Sequence, residues 1–441
     1  MTRAQVIVVG GGPAGSSAAW HLARLGCQVL LLDRARFPRD KTCAEYLSPQ
    51  ASRILDAMGA LPAIDGAGAA HLAGMLVRAP SGDVIHGRFA AEHGFRGFRD
   101  RGLAVRRRVL DAILVDRARQ AGVRVLEGVR VIDVRRAGGG RGAAVGVRVL
   151  DAGGVERELD AALVVGADGL RSIVARRLGV ARRFPWPRRL AFVCHVRGLG
   201  GLGDYGEMHV ERDGYVGLAD VGHGVTNVAM VAPAGVARRA LAAHGSPTAY
   251  LDAWLRRAPQ LAPRFAGAER VSPVRVTGPF ATHSRRAWAP GAALVGDAAD
   301  FFDPFTGEGI YSGLRGGELL APYAEEAARH LGAGDRGRAD RALSAYDAAR
   351  RREFRGKWMV ERMIALSVAR PALINRAARV LSARRDMADL LVGVAGDFVP
   401  PAEVLNPRYL WRLFVAPAGR GAPPAPRAAA EGGAPPDVSY T

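Results

Sequence analysis

Residues 5–15 read QVIVVGGGPAG, and residues 28–33 read QVLLLD. Each stretch contains a run of aliphatic residues, and runs of this length are typical of strands buried in a parallel sheet. The segment between them, residues 16–26, predicts a helix with alanines and leucines on one face and a glycine at its end. The order strand, glycine turn, helix, strand and acid is that of a βαβ unit that binds a dinucleotide.

The glycine turn determines how such a unit would hold a dinucleotide. Gly10 allows the tight turn, Gly12 lets the backbone approach a pyrophosphate, and Gly15 lets helix and strand pack closely. The helix N-terminus presents free N–H groups to the diphosphate. Asp33 lies eighteen residues beyond Gly15, where a carboxylate can accept hydrogen bonds from an adenosine ribose. The predicted cofactor contacts of this unit are Gly10, Gly12, Pro13, Ala14, Gly15, Asp33 and Arg34.

Two other stretches match the bare glycine pattern without its context. Residues 198–203 lead into an alternating, strand-like segment that has no helix, and residues 332–337 follow a helical segment and lie among Asp and Arg. A dinucleotide site needs the glycines between a strand and a helix. The chain therefore has one credible dinucleotide-binding unit, at its N-terminus.

The composition excludes several classes of protein. The 441 residues carry a net charge of +20, but only Lys41 and Lys357 are lysines, and arginine pairs are scattered along the chain. This distribution disfavours a nucleic-acid function and favours attraction of acidic cofactors. We expect neither a membrane span nor a signal peptide. The three cysteines are widely spaced, which predicts a cytoplasmic protein without a disulfide framework or a metal site.

Changes of pattern divide the chain into three regions and a tail. Buried strands alternate with helices in the first region, hairpins and long alternating strands make the second, and helices dominate the third. Ala, Gly and Pro dominate the last residues, which predicts disorder. The predicted boundaries are 1–70, 99–180 and 276–335 for a discontinuous cofactor-binding domain, 71–98 and 181–275 for an inserted substrate domain, 336–416 for the helical region, and 417–441 for the disordered tail.

Three segments stand in a fixed order along the chain. They are the N-terminal glycine turn, GADG at residues 166–169, and GD at 296–297 followed by PFTGEGI at 304–310. Together they resemble the FAD-dependent oxidoreductases of the para-hydroxybenzoate hydroxylase and geranylgeranyl reductase superfamily, over roughly residues 1–330. Pattern and resemblance predict an α/β fold: a Rossmann-like FAD/NAD(P)-binding domain, an inserted mixed β-sheet substrate domain and a helical C-terminus.

The resemblance implies a role for individual residues. Arg107 resembles the arginine near the FAD phosphates, with Arg106 as a neighbour that could substitute for it. The helix that starts near Gly307 and Gly309 would direct N–H groups at the flavin ring, whose reduced form is an anion. The other implied FAD contacts are Val131 at the adenine, Asp168 near the flavin and a reduced nicotinamide, Asp297 at the ribityl chain, and Pro304 and Ile310 around the helix start.

The loop after the second strand bears on the reaction. Cys43 is a candidate for the wall of the active site and equally for a buried, inert thiol. The family's prenyl reductases typically carry glycines after this cysteine, whereas this chain has Ala44-Glu45-Tyr46. His195 and His209 are left off the catalytic list, because a lone histidine on a strand is more often structural.

The resemblance leaves more than one reaction open. The favoured interpretation is an NAD(P)H-dependent monooxygenase that hydroxylates a phenolic or polyketide-like small molecule with O₂, through a flavin hydroperoxide. The alternative is a geranylgeranyl-reductase-like enzyme that saturates double bonds of an isoprenoid or other lipid. A lesser alternative is a flavin or electron-transfer protein without turnover. Flavin-dependent halogenases need a lysine between flavin and substrate. No lysine occurs from residue 42 to 356, so a halogenase is disfavoured.

Aromatic and aliphatic residues recur among arginines near the C-terminus, around Trp358 to Leu366 and Tyr409 to Phe414. Such a stripe can be a membrane-surface patch suited to a lipophilic substrate, but it is more often ordinary core or a dimer contact. We therefore expect a small-molecule substrate, no nucleic acid, and either peripheral membrane contact or none. The oligomeric state and the choice between NADH and NADPH stay open.

Overall fold

A computed structural model describes residues 4–138 and 142–417 of the chain. The disordered tail predicted for residues 417–441 therefore lies outside the described residues, apart from its first position. The first part of the fold alternates strands and helices as predicted. Its elements are β1 (Ala4–Val9), α1 (Pro13–Arg24), β2 (Val29–Asp33), β3 (Tyr46–Leu47), α2 (Ala51–Ala57), α3 (Leu61–Gly66), β4 (Ala70–Leu72), β5 (Gly74–Arg78), β6 (Val84–Arg88), β7 (Gly102–Ala104), α4 (Arg107–Gln120), β8 (Arg124–Glu127), β9 (Arg130–Arg136), β10 (Ala144–Leu150), β11 (Glu156–Gly166) and α5 (Ile173–Arg177).

The middle of the chain is dominated by strands. Its elements are β12 (Ala181–Arg183), β13 (Arg189–Arg197), β14 (Tyr205–Glu211), β15 (Gly214–Asp220), β16 (Val225–Pro233), α6 (Ala234–His244), α7 (Pro247–Arg257), β17 (Glu269–Arg270), β18 (Arg275–Thr277), β19 (Thr282–Ser284), β20 (Trp288–Ala289), β21 (Ala292–Leu294) and β22 (Asp300–Phe301).

The last part is helical, as the sequence predicts, and Pro371 and Pro407 each begin a new helix. A short 3₁₀ turn over Pro304–Thr306 precedes it. Its elements are α8 (Gly309–Gly332), α9 (Arg336–Val368), α10 (Pro371–Ala383), α11 (Arg385–Ala395), α12 (Ala402–Leu405) and α13 (Pro407–Phe414). Within the described ranges, no helix is both long and apolar enough to cross a membrane.

The central sheet carries the predicted βαβ unit. Its strand order is β20-β21-β11-β1-β2-β8, and β1 runs parallel to both β11 and β2. Because β1, β11 and β21 run parallel, their carboxyl ends bring the turn after β1, the GADG segment after β11 and the Gly296 segment after β21 to one edge. The β9–β10 ribbon pairs antiparallel with the outer half of β11.

A second sheet has the order β17-β13-β16-β15-β14-β5-β6. Its long strands alternate, so each presents two different faces. On β13, Phe192 and Cys194 join the core formed with Trp254 of α7, whereas Ala191 and Val193 face the opposite way. That opposite face meets the C-terminal helices, and α10 and α11 pack on β6.

Local contacts explain where several elements begin. Helix α5 begins at Ile173, because Ser172 is its N-cap and accepts a hydrogen bond from the Ala175 N–H, while Asp168 accepts from the Ile173 and Val174 N–H groups. The loop after β2 contains the short strand β3, which pairs with β7. The long helix α8 starts at Gly309, close to the helix start that the resemblance implies.

Candidate functional site

A cavity of about 1450 Å³ lies between the carboxyl edge of the central sheet and the inner face of the second sheet. Its wall includes every residue of the predicted site except Gly15, which lies beneath it in the contact between α1 and β1. The predicted residues that border it are Gly10, Gly12, Pro13, Ala14, Asp33, Arg34, Cys43, Arg107, Val131, Asp168, Asp297, Pro304, Gly307, Gly309 and Ile310.

The turn between β1 and α1 shows why three glycines stand at these positions. Gly10 has φ of +104°, and a Cβ there would lie 2.5 Å from the Ala167 carbonyl oxygen. A Cβ at Gly15 would overlap the Gly10 carbonyl oxygen. A Cβ at Gly12 would instead point into the cavity, 3.6 Å from an Arg107 nitrogen. Gly10 and Gly15 therefore serve the fold, and Gly12 keeps the space beside Arg107 open.

Asp33 holds the same turn from the end of β2. Its Oδ2 accepts a hydrogen bond of 2.7 Å from the Gly11 N–H, and its Oδ1 accepts one of 2.8 Å from the Ala35 N–H. A carboxylate has about four acceptor sites, so both oxygens can still accept from ribose hydroxyls. Asp33 therefore both shapes the turn and borders the cavity.

Positive charge is concentrated next to this turn. Arg107, the buried first residue of α4, donates two hydrogen bonds of 2.8 Å to Asp111, and Arg39 lies 2.7 Å from the same carboxylate. Lys41 also borders the cavity. Burial and the nearby Arg107 charge lower the pKa of Lys41, while Asp297 acts in the opposite direction. Arg107, Arg39 and Lys41 thus have few carboxylates between them, and such a group of cations suits a diphosphate. Arg106 instead pairs with Asp40 at 3.2 Å.

Two helices begin at the cavity wall. Helix α1 follows Gly12 and α8 follows Glu308, and among the described residues neither helix has a side-chain hydrogen bond at its N-cap. The two helices pack so closely that a Cβ at Gly313 would lie 3.3 Å from Ala14. Free N–H groups and two positive helix ends therefore face the same cavity, which favours bound anionic groups.

The start of α8 is held by buried charges from the C-terminal region. Gly307 has φ of +72°, and a Cβ there would lie 2.8 Å from the Tyr46 ring. Glu308 lies 3.2 Å from the Lys357 ammonium on α9, and Lys357 also pairs with Asp397 after α11. All three side chains are buried, so removal of one partner would leave a costly uncompensated charge. The C-terminal helices thus fix the helix end that faces the cavity.

The two predicted acids of the middle and last motifs differ in their surroundings. Asp168 is already engaged, since its oxygens accept from Ser172 Oγ and from the Ile173 N–H, each at 2.6 Å. Burial raises the pKa of Asp297, against the lowering effect of Lys41 and Arg107. Asp297 is therefore the acid with acceptor capacity to offer a ligand, and Asp168 mainly positions the chain around it.

A polar cluster, formed by the buried Glu45, His195 and Asn227 and the half-buried Ser272, joins the loop after β2 to the second sheet. Glu45 has φ of +62°, and its carboxylate accepts from the Arg107 N–H at 2.8 Å, from His195 Nε2 at 2.7 Å and from Asn227 Nδ2 at 3.0 Å. His195 Nδ1 lies 2.9 Å from Ser272 Oγ. This use of His195 is structural, and sequence reasoning missed the role of Glu45.

Cys43 borders the cavity beside this cluster. Burial raises the pKa of its thiol, although the Arg107 charge acts against this. The thiol accepts a hydrogen bond of 3.3 Å from the Glu45 N–H. A protonated thiol in this setting is a weak nucleophile, so Cys43 contributes shape to the wall.

The inner face of the second sheet forms the other side of the cavity. Many of its side chains are small or apolar, and two polar side chains on it, Tyr215 and Asn227, are engaged in hydrogen bonds. The Tyr215 hydroxyl donates to Asp303 at 2.9 Å, and Asp303 pairs with Arg189 at 2.6 Å. The apolar and small lining residues are Ala191, Val193, Met208, Gly217, Ala219, Ala229 and Val231.

Comparison with known proteins agrees with this geometry. A family model described as an FAD binding domain matches residues 3–190. The menaquinone reductase of Mycolicibacterium smegmatis is 30% identical over 429 residues, which cover 93% of this chain and 96% of that protein. The digeranylgeranylglycerophospholipid reductase 1 of Methanopyrus kandleri is 32% identical over 332 residues, 73% of this chain and 80% of the relative.

Solved structures show the same fold. A flavoprotein/dehydrogenase from Cytophaga hutchinsonii superposes with a TM-score of 0.78 at 20% identity and covers 93% of this chain and 96% of its own. The myxobacterial chondrochloren halogenase superposes with a TM-score of 0.72 at 27% identity and covers 82% of each chain.

Fold, cavity and matches together define an oxidoreductase that uses FAD. The open space at Gly12, the two helix ends and the cations near Arg107 all fit the diphosphate of that cofactor. The chain belongs to the FAD-dependent oxidoreductases of the para-hydroxybenzoate hydroxylase and geranylgeranyl reductase superfamily.

Proposed function

We propose that the chain is a reductase that saturates carbon–carbon double bonds of an isoprenoid lipid, with FAD as its cofactor and NAD(P)H as its electron donor. FAD supplies the redox chemistry, and the chain's own residues orient cofactor and substrate. The proposed FAD contacts are the turn and α1 start at Gly10, Gly12, Pro13 and Ala14 with Arg107 for the diphosphate, Asp33 and Arg34 for the ribose, Val131 for the adenine, Asp168 and Asp297 beside the ribityl chain, and Pro304, Gly307, Gly309 and Ile310 for the ring. Gly15 supports this site from beneath by allowing the close packing of the turn.

The observation that carries the proposal is the apolar inner face of the second sheet. Alternation places Ala191 and Val193 of β13 and Ala229 and Val231 of β16 on this face, while the other face is closed by α7. A bound isoprenoid chain would displace water from this surface, and each methylene that it buries contributes about 0.8 kcal/mol to binding. The names of the relatives, menaquinone reductase and digeranylgeranylglycerophospholipid reductase, point to lipid substrates of this kind.

The α8 start has a chemical role in this proposal. Its N–H groups, near Gly309 and Ile310, would stabilise negative charge on the reduced flavin ring. Glu308 and Lys357 hold the helix end in place, so this stabilisation is built before the substrate binds. The apolar sheet face excludes water on the opposite side of the cavity.

A monooxygenase acting on a phenolic or polyketide-like molecule is the second candidate. It was favoured on the sequence, and one observation supports it. Tyr46 replaces a glycine typical of prenyl reductases, and its buried hydroxyl, in the cavity wall, has no hydrogen-bond partner among the described residues. Burial raises the pKa of Tyr46 well above its ordinary value, so the hydroxyl stays a donor that a phenolic oxygen could accept.

Exposed apolar side chains near the C-terminus support peripheral membrane contact as part of the proposal. Trp411 is 55% exposed, Met359 47% and Leu366 39%, although Tyr409 and Leu413 of the same stripe are buried. The stripe is therefore divided between core and surface. A lipid-embedded substrate would make such a surface useful.

One experiment separates the two candidates. The FAD-loaded protein is reduced with NADPH and incubated with a geranylgeranyl lipid, a polyprenyl naphthoquinone or a simple phenol, with and without O₂, and the products are identified by mass spectrometry. A gain of H₂ without O₂ supports the reductase, and a gain of one oxygen atom on a phenolic substrate supports the monooxygenase. Ala229→Phe should block the isoprenoid reaction and keep FAD, whereas Val155→Phe at an exposed, remote site should change neither.

A further inference from the structure

An arginine–aromatic rim, formed by Phe184, His283, Phe302, Arg285 and Arg362, lines the cavity away from the Arg107 cluster. The Phe184 and His283 rings stack with centroids 4.1 Å apart. The Arg362 guanidinium lies 5.3 Å from the Phe184 centroid and 5.7 Å from that of Phe302. The rim therefore combines aromatic surface with a positioned cation.

The topology places this rim next to the segment that faces the flavin. Strand β19 pairs with β12 and β22, so His283 lies between Arg182 and Asp300 in the three-stranded sheet. Strand β22 lies between Asp297 and Pro304, which are both proposed FAD contacts. A molecule bound at the rim would therefore meet the cavity close to the flavin.

The rim has positive charge to spare. Within residues 4–138 and 142–417, no carboxylate lies within 4.0 Å of Arg285 or Arg362. Asp300, the nearest acid in the same sheet, pairs with Arg350 instead. Arg362 is held by its two aromatic contacts, and arginines without a paired carboxylate, such as Arg362 and Arg285, are well suited to phosphate groups.

We propose that the rim binds the phosphate-bearing part of a nicotinamide dinucleotide, the electron donor in the proposed function on which this inference rests. Arg285 and Arg362 neutralise its phosphates, and the Phe184–His283 pair contacts one of its rings. The sequence has a single credible dinucleotide-binding unit, and the proposed function assigns it to FAD. A second dinucleotide would then need other side chains on the cavity wall. A phosphate of a lipid substrate has the same chemistry, so the test separates the two ligands.

The test compares the FAD-loaded wild type with Arg362→Met, Arg285→Met and Arg341→Met. Arg341 is the matched control, an exposed arginine on the same helix as Arg362. Binding of NADP⁺ and NAD⁺ is measured by calorimetry, and flavin reduction by NADPH and NADH is followed in a stopped-flow spectrometer without O₂. We expect the two rim variants to raise the Kd for the dinucleotide by roughly tenfold or more, the loss expected for one charged hydrogen bond, and the control to leave it unchanged.

Several results would overturn the proposal. They are a wild type that binds neither dinucleotide, an unchanged Kd in both rim variants, an equal change in the control, and a loss of affinity for a geranylgeranyl phospholipid without a loss for NADP⁺. Flavin content and circular dichroism verify folding, and Phe184→Leu tests the aromatic contact if an arginine variant does not fold. Single turnover after dithionite reduction should be normal in the rim variants. Its absence in the wild type would refute the isoprenoid reductase and leave the dinucleotide site standing.

Discussion

The protein should be more stable with glycine than with alanine at position 45, which reverses the usual effect of these two residues on stability. Glu45 is a buried residue with φ of +62°, a left-handed conformation that costs a side chain roughly 1–2 kcal/mol. Glycine avoids that strain but has more freedom in the unfolded chain, which costs about 0.5–1 kcal/mol. The difference leaves Glu45→Gly about 0.5–1 kcal/mol more stable than Glu45→Ala.

Both variants should lose much more relative to the wild type. The carboxylate accepts hydrogen bonds from the Arg107 N–H, His195 and Asn227, and its removal leaves buried donors without partners. Hydrogen bonds to a charged group contribute about 1.5–3 kcal/mol each, and such losses are not additive. We expect a total of about 3–5 kcal/mol, with a smaller loss for Glu45→Gln, which keeps one acceptor oxygen.

Urea unfolding of the FAD-loaded variants, followed by far-ultraviolet circular dichroism and flavin fluorescence, measures these differences. Ala44→Gly is the matched control, because Ala44 is not among the residues with positive φ and the substitution should destabilise in the ordinary direction. An alanine variant at position 45 that is as stable as the glycine variant would refute the strain argument. Wild-type stability in all three variants would refute the role of the carboxylate.

Three further predictions concern the cofactor and the pH dependence. Gly15→Val should abolish FAD binding, because a Cβ there overlaps a backbone carbonyl of the turn. Gly203→Ala is the control, because a Cβ at Gly203 meets open space. Flavin absorbance after desalting measures FAD in both variants, and a Gly15 variant that stays yellow would contradict the assignment. Asp297→Ala should weaken FAD about tenfold by fluorescence titration, and unchanged affinity would remove Asp297 from the site. Burial favours the neutral form of Glu207, but hydrogen bonds from a histidine and Arg264 hold its pKa at about 2. Because the pKa of Glu207 is lower in the folded protein than in the unfolded chain, the ionised carboxylate stabilises the fold at pH values above its unfolded pKa. This stability is lost as the pH falls towards 2, so Arg264→Met should move acid unfolding to higher pH. An unmoved acid transition would contradict the pairing.

Local pattern was enough to predict the elements that carry the cofactor site. The alternation of buried strands and helices, the glycine spacing and the acid after β2 all depend on short-range steric and burial requirements, so β1, α1 and β2 could be predicted directly. The resemblance added Arg107 and the α8 start, and the structure brings them to the same cavity. Their contacts with FAD stay a prediction.

Contacts between distant segments could not be predicted in this way. Glu45 meets His195 and Asn227 across 150 and more residues, and periodicity carries no information about such pairs. The ion pairs of Lys357 depend likewise on how α9 lies against α8. Asp168 was predicted as a cofactor acid, and only the fold shows that a helix cap uses its oxygens.

The discontinuity of the central sheet has a consequence for synthesis of the protein on the ribosome. Strand β21, with the Asp297 segment that follows it, pairs with β11, and the α8 start is held by Lys357 and Asp397. A nascent chain therefore exposes the N-terminal dinucleotide unit early but completes the cofactor pocket only after most of the chain has emerged. FAD capture is then a late event, and the unfinished pocket must stay soluble until that point. Stalled chains that end near residue 290 should fail to retain flavin, and retention by them would show that the N-terminal unit alone suffices.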